Sequence, residues 1–253
     1  MLPFFENNGP IGLAHRGFVG TNENKVSENS IRAFQNAVDL GYTHLETDVQ
    51  GTKDDEVVIF HDDDTKRMLG IPGAIKDFTM AEIAKLELSR NDPIPTLVEV
   101  LETFPDRFFN IDIKTEEAVE PFVAVIEKLQ CHDRICVASF SDKRRKAVLN
   151  KLTKRTATSS GSTNVALFKV ASYLPANCNW SFDALNVPNT YKGKDFVTPK
   201  FVAKAKAANL PVYVWTVNDL PQMQKLLDMG VDGIFTDRAD LLKEELKRRE
   251  HIY

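Results

Sequence analysis

A chain of 253 residues, 43% hydrophobic and 27% charged, has the composition of a folded globular protein and the length of one domain with a sizeable core. Its formal net charge of −4, with no long basic stripe, argues against a nucleic-acid partner. The start Met1-Leu2-Pro3-Phe4-Phe5-Glu6 lacks a basic region followed by an apolar run, and no later stretch is long enough to span a bilayer, so a cytoplasmic protein without stable membrane association is expected.

Runs of strand-forming residues alternate with segments of helical period along almost the whole chain. In chain order the predicted strands are Ile11–His15, His44–Gln50, Phe108–Lys114, Ile135–Phe140, Thr156–Ser160, Ala184–Pro188, Val212–Val217 and Gly233–Asp237. The predicted helices are Asn29–Leu40, the Thr96–Phe104 region, Glu116–Leu129, Asp142–Leu152, Asn164–Leu174, Pro199–Asn209, Pro221–Met229 and Ala239–Arg249. Eight βα units predict one closed (β/α)8 barrel, a TIM barrel, over residues 1–253. An open doubly wound sheet is the competitor, but the Gly-x-Gly-x-x-Gly turn that marks its nucleotide site is absent. The irregular interval, about residues 51–95, holds a hairpin strand Val57–His61, the loop Gly70–Gly73 and a short helix near Met80–Leu86; it reads as an insertion over the barrel mouth.

Other features call for structural roles. The basic run Lys143-Arg144-Arg145-Lys146 reads as a solvated helix face, and His132 and His251 as surface residues. Cys131, Cys136 and Cys178 match no metal-binding spacing and read as buried, reduced thiols.

In such a barrel reactive groups sit at the carboxyl ends of strands. Three strand ends carry polar residues that a core would reject. Ala14-His15-Arg16-Gly17 joins a proton-transfer group to a planar cation that matches two phosphate oxygens. Glu46 and Asp48, one residue apart on a strand, point to the same side, which calls for a positive occupant such as a hard divalent cation, or else salt bridges. Asp112 and Lys114 repeat that spacing, either completing a metal site with a phosphate-neutralising lysine or forming an internal ion pair. Ser27-Glu28-Asn29-Ser30 also looks like a helix start, and His61-Asp62 closes the hairpin strand. His44 shares the parity of Glu46 but lies towards the barrel bottom. Trp215 ends a strand and either walls a pocket or packs, and Phe140, Asn186, Tyr191 and Asn218 are further candidates to shape it.

The ordered set His15-Arg16-Gly17, Glu28-Asn29, Glu46-x-Asp48, His61-Asp62 and Asp112-x-Lys114 resembles the glycerophosphodiester phosphodiesterase family, and Val214–Asn218 and Gly230–Asp237 extend the resemblance to the far end of the chain. The resemblance implies a hydrolase acting on small glycerophosphodiesters, such as glycerophosphocholine or glycerophosphoethanolamine, to give glycerol 3-phosphate and an alcohol. It implies Mg2+ or Ca2+, with Mn2+ an alternative, held by Glu46, Asp48 and Asp112. It further implies His15 and His61 as the acid and base, phosphate contacts from Arg16 and Lys114, and a polar supporting role for Glu28.

The chain departs from the family pattern in Asp112, where glutamate is commoner, and in Ser27 and Ser30, where proline and threonine are frequent. Whether water or a neighbouring glycerol hydroxyl attacks first stays open. The rival readings are a lysophospholipase D-like enzyme, with Ile71, Phe78, Met80 and Leu86 as an apolar entrance, and a non-catalytic phosphate-ligand binding protein.

Overall fold

A computed structural model describes residues 2–21, 25–174 and 179–250; Cys178 and His251 lie outside the described residues. In chain order the elements are β1 (Ile11–His15), α1 (Ile31–Asp39), β2 (His44–Gly51), β3 (Val57–Ile59), α2 (Lys66–Leu69), α3 (Met80–Ile83), α4 (Leu97–Thr103), β4 (Phe108–Ile113), α5 (Val119–Leu129), β5 (Ile135–Ala138) and α6 (Asp142–Leu149). They continue as β6 (Ala157–Thr158), α7 (Ser162–Ala171), β7 (Leu185–Pro188), the hairpin β8 (Thr190–Tyr191) and β9 (Lys194–Asp195), α8 (Pro199–Ala207), β10 (Val212–Trp215), α9 (Leu220–Met229), β11 (Gly233–Thr236) and α10 (Ala239–Glu250).

Eight parallel strands form the row β6-β5-β4-β2-β1-β11-β10-β7. The ends of the row meet. Asp183 N–H donates to Thr158 O at 2.8 Å, Ser160 N–H donates to Ala184 O at 2.9 Å, and Ser159 bridges Ala184 in parallel. The sheet is therefore curled on itself with its helices outside, as the eight repeated units predict.

Strand parity sorts the side chains into two layers. Leu45 and Val49 of β2, and Phe109, Ile111 and Ile113 of β4, pack outward against α1, α4 and α5. Val212, Val214 and Ile234 do the same beneath the later helices. The opposite parity fills the interior with Ile11, Leu13, Cys136, Ala157, Ala184, Tyr213 and Phe235, and Phe4 and Phe5 of the N-terminal turn join this cluster. His44 stacks on Phe108 with centroids 4.8 Å apart, and its Nε2 lies 2.9 Å from Phe4 O, which places it at the bottom as expected. Burial lowers its pKa to about 4, against the pull of that backbone contact. Continuing the inward parity beyond the apolar cluster leads to His15, Glu46, Asp48, Asp112, Trp215 and Asp237: the core alternation itself delivers these residues to the mouth.

Between β2 and β4 the chain adds β3, which pairs antiparallel with β2 (Ile59 opposite Val49), then α2 and α3. Val58, Phe60, Met68, Ile75, Ile83, Leu88 and Ile94 give this segment a core of its own.

Two expectations are corrected. Arg145 is fully buried: it donates to Thr158 Oγ1 (3.1 Å) and Ser181 O (3.0 Å) and pairs with Asp142, so only Lys143 and Lys146 of the basic run are well exposed. It lies one helical turn from buried Val148, on the inward face of α6. His132 is 1% exposed, packed in the turn before β5 with Nε2 3.1 Å from a Glu127 carboxylate oxygen. Cys131 and Cys136 are buried free thiols, and burial raises both thiol pKa values. No described helix is long and apolar enough to cross a membrane.

Candidate active site

The β1–α1 connection sets the site's backbone. Arg16 and Asn29 both adopt left-handed φ values, 54° and 57°, which cost about 1–3 kcal/mol for a residue other than glycine unless the surroundings hold them. They are held: Asn29 N–H donates to Arg16 O at 2.9 Å, and Arg16 N–H donates to Glu46 O at 3.1 Å. Gly17 follows at φ 80°, where an added Cβ would lie 2.6 Å from the Ala33 carbonyl carbon of α1. Ser30, rather than Asn29, caps α1 by accepting from Ala33 N–H, which frees the Asn29 side chain for the site.

Four adjacent strands present the acids and bases. His15 is in register with Glu46, and Asp48 with Asp112. Lys114 Nζ donates to Asp48 Oδ1 (2.9 Å) and to Asp112 Oδ2 (2.8 Å). Asp48 Oδ2 accepts from Asn29 Nδ2 at 3.1 Å and lies 3.3 Å from Arg16 Nε, close but not aligned for a hydrogen bond. Arg16 Nη1 donates to Glu28 Oε1 at 3.0 Å; Arg67 reaches the same oxygen at 2.6 Å and also grips Asp62. Thr47 Oγ1 fixes the Asn29 amide by donating to its oxygen at 2.8 Å.

Both histidines are oriented in the same way. The Asp237 carboxylate accepts from His15 Nδ1 at 2.7 Å, and the Asp62 carboxylate accepts from His61 Nδ1 at 2.8 Å. Each ring then has Nε2 left for other work. His15 Nε2 lies 3.9 Å from Glu46 Oε2.

The electrostatics separate the acids. Burial, reinforced by Asp48, pushes Glu46 up to about 7 despite the cations around it. Asp48 is equally buried, yet Lys114 and Arg16 outweigh the desolvation and hold its pKa below the ordinary value. Burial raises Asp112 against the pull of Lys114. Burial opposes charge on His15, but Glu46 and Asp237 outweigh it, so its pKa is raised.

These groups line a cavity of about 950 Å³. Phe140, Asn186, Tyr191 and Trp215 form part of its wall, and Trp215 packs edge-on against Phe140 with centroids 5.5 Å apart. Ile71, Phe78, Met80 and Leu86 are not among the lining residues; the last three pack against the core of the segment between β2 and β4, so the expected apolar entrance is not formed there.

Three carboxylates on the adjacent strands β2 and β4 are the donor set of a hard divalent cation. Asp112 Oδ1 is buried with no hydrogen-bond partner, an oxygen with a lone pair to offer. The donor chemistry therefore fits such an ion. Among the described residues no three such groups stand close enough to enclose one, and the Lys114 ammonium contacts both Asp48 and Asp112.

Three participants escaped the sequence reading: Asp237, Arg67 and the Asn29 side chain. Asp237 was findable, since it continues the inward parity of Phe235 at the end of the last strand. Arg67 gave no signal, because α2 is a single turn with no parity to read. Asn218, expected to shape the pocket, instead steadies Asp237: its Nδ2 donates to Asp237 Oδ2 at 2.6 Å and its Oδ1 accepts from Asp237 N–H at 2.8 Å. Asn218→Ala should lower kcat by about tenfold, the lower range for losing a partner that orients an active group, and leave the melting temperature nearly unchanged. Steady-state kinetics beside a thermal melt checks this.

Residues 15–241 match the Glycerophosphoryl diester phosphodiesterase family. A probable glycerophosphodiester phosphodiesterase 2 of Mycobacterium tuberculosis is 39% identical over 253 residues, covering 98% of this chain and 95% of that protein. A glycerophosphodiester phosphodiesterase of Caldanaerobacter subterraneus is 28% identical, covering 91% and 95%. Among solved structures, an Oleispira antarctica phosphodiesterase in complex with the product sn-glycerol-3-phosphate superposes with a TM-score of 0.78 at 24% identity, covering 94% of this chain and 97% of that one. A Thermotoga maritima glycerophosphodiester phosphodiesterase gives 0.72 at 26%, covering 94% and 99%. With the family's match running from the first site histidine almost to the C-terminus, this chain belongs to the glycerophosphoryl diester phosphodiesterase family.

Proposed function

We propose that the protein hydrolyses small glycerophosphodiesters, such as glycerophosphocholine or glycerophosphoethanolamine, to glycerol 3-phosphate and an alcohol, with His15 and His61 as the acid and base. The observation that carries this reading is the pair of histidines, each held at Nδ1 by its own carboxylate, lining one cavity with three buried acids and two fixed cations. A binding protein would need the cations but not two oriented proton carriers. Kinship with the named relatives supports the activity.

The site's residues suit the charge that hydrolysis builds. A phosphodiester carries one negative charge, and cleavage adds more on its non-bridging oxygens and on the departing alkoxide. Lys114 spends two N–H groups on Asp48 and Asp112, which leaves a third for a phosphate oxygen. Arg16 is locked by Glu28 and Asp48, so its guanidinium meets the substrate already oriented. One histidine takes the proton of the attacking oxygen and the other returns a proton to the leaving oxygen, so the enzyme ends the cycle with its protons redistributed through water. Glu46, Asp48 and Asp112 would hold a divalent ion, Mg2+ or Ca2+ with Mn2+ an alternative, and when bound it would supply Lewis-acid polarisation of the phosphate. The segment of about residues 51–95, which carries His61, Asp62 and Arg67, is on this reading the part of the chain that completes the mouth. Trp215 and Phe140 would wall the glycerol or alcohol side.

The test is release of glycerol 3-phosphate from both diesters, with each metal against a chelator control. Metal-dependent release is expected. No release by folded protein with any of the three ions would overturn the reading. Phosphorus NMR during turnover separates direct attack by water from a cyclic phosphate intermediate.

A further inference from the structure

The outer helices of a barrel normally bury one apolar stripe and turn a polar one to water. α7 breaks this rule. Phe168 faces the core, yet Leu167 and Val170, one turn apart on the helix, are 55% and 64% exposed, and Tyr173 and Leu174, in the turn that follows its last residue Ala171, are 55% and 53% exposed. Of the seven large apolar side chains that the described residues leave exposed, these are four. Two more, Phe140 and Tyr191, line the cavity while standing 55% and 60% exposed. Val165 and Ala166 of the same helix also line the cavity, so the exposed stripe and the cavity wall are continuous through α7.

The charged groups set against the rings of this patch are lysines. Lys169 Nζ stands 4.7 Å from the Phe196 ring centre and 5.9 Å from that of Tyr173; Lys200 Nζ is 4.9 Å from Tyr173, and Lys192 Nζ is 5.6 Å from Tyr191. Lys194, on the β8–β9 hairpin, lines the cavity beside them. None of these four lysines forms an ion pair with a described carboxylate, and although Lys169 Nζ donates to Phe196 O, Lys192, Lys194 and Lys200 are exposed; Asp195, the acid on the same hairpin, is taken by Lys225. A local excess of unpaired lysines set among tyrosines stands out in a chain of net charge −4.

We infer that the exposed face of α7, together with Tyr173, Tyr191 and the surrounding lysines, docks the protein on an anionic lipid bilayer. Aliphatic side chains this exposed gain by entering the headgroup–acyl boundary, tyrosine rings suit that interface, and lysines on long stems reach lipid phosphates. The sequence showed no anchor because α7 is short and its two apolar stripes blur into one apolar run. The docked orientation turns the cavity wall towards the bilayer. The inference stands apart from the identity of the hydrolysed diester, since binding can be read without turnover.

The test is centrifugation of the full chain with vesicles of phosphatidylcholine alone or mixed with phosphatidylglycerol. The protein should pellet with the mixed vesicles and much less with the neutral ones, and added salt should release it as the Debye length shortens. Val170→Glu with Leu174→Glu should cut binding by about tenfold or more, from two aliphatic side chains no longer buried. Lys200→Glu should cut it by roughly fivefold or more, the worth of one lysine at an anionic surface. Both variants should keep the parent's melting temperature, since all three side chains are exposed. No pelleting with anionic vesicles, or unchanged pelleting of the Val170/Leu174 variant, would overturn the inference. So would a dimer in sedimentation velocity that this variant dissolves, which would assign the face to a second copy of the chain.

Discussion

His15→Ala and His61→Ala should each lower kcat/KM by about 10²- to 10⁴-fold, the span of a positioned general acid or base, while the fold survives. The structure separates this from a merely structural loss. His15 is held by Asp237 and His61 by Asp62, and neither ring carries a strand hydrogen bond or fills the apolar core. The neighbouring carboxylates give the sharper check. Asp237→Asn keeps a hydrogen-bond acceptor for Nδ1 but removes a charge that helps raise the His15 pKa, so the limb of the pH–rate profile that reports His15 should move to lower pH. Asp62 is already held down to about 2 by Arg67, with His61 a smaller influence. Asp62→Asn should therefore reduce turnover chiefly by freeing both the His61 ring and Arg67. A full pH–rate profile of the four variants decides the matter. Unchanged rates in both alanine variants would end the acid–base assignment.

How much of this site could be read in the sequence follows from the kind of signal each residue carries. Glu46, Asp48, Asp112 and Lys114 were legible because a strand has period two: polar residues on the inward parity of otherwise apolar strands have no reason to be there except chemistry. The same regularity predicted the curled eight-strand sheet. Partnerships across the fold were not legible. Asp237 meets His15 across 222 residues and Arg67 meets Glu28 across 39, and each depends on closure of the barrel or on the path of an irregular segment. Arg145 and His132 were misplaced for a related reason, because burial of a charged or polar side chain is decided largely by partners on other elements, here Thr158 and Ser181 for Arg145 and Glu127 for His132. α7 hid its exposed stripe because a helix apolar on two faces looks, in sequence, like a well-buried one.

Replacing Glu46 by Gln and Asp48 by Asn should change stability in opposite directions while both abolish metal-dependent activity. Glu46 has its folded pKa pushed up to about 7, so its charged form is disfavoured by burial and by Asp48; Glu46→Gln removes that burden and should raise the melting temperature of chelated protein near pH 8. Asp48 has its pKa lowered although burial opposes it, because Lys114 and Arg16 favour its charge. Asp48→Asn removes the charge that both cations share, leaving Lys114 with Asp112 and Arg16 with Glu28, and should lower the melting temperature. The linkage for the parent protein runs the same way. A group whose folded pKa lies above its unfolded value stabilises the fold at low pH, and that contribution is lost as pH rises through the folded pKa. Glu46, Asp112 and His15 are all raised, and the window is set by Glu46, so metal-free protein should lose stability as pH climbs from about 4.5 to about 7, with His15 adding to the loss above its ordinary value of 6.5. On the proposed assignment a divalent cation would reverse this, since it would take the deprotonated carboxylates and so bind more tightly at the higher pH. Calorimetric titration of the metal should show each variant losing more affinity than the about 10- to 100-fold that goes with an outer-shell partner, because a charged ligand is removed. Melts at the two pH values, with and without chelator, complete the comparison. If chelated protein were instead more stable at the higher pH, or if Glu46→Gln and Asp48→Asn shifted the melt in the same direction, the division of charge among these acids would be wrong.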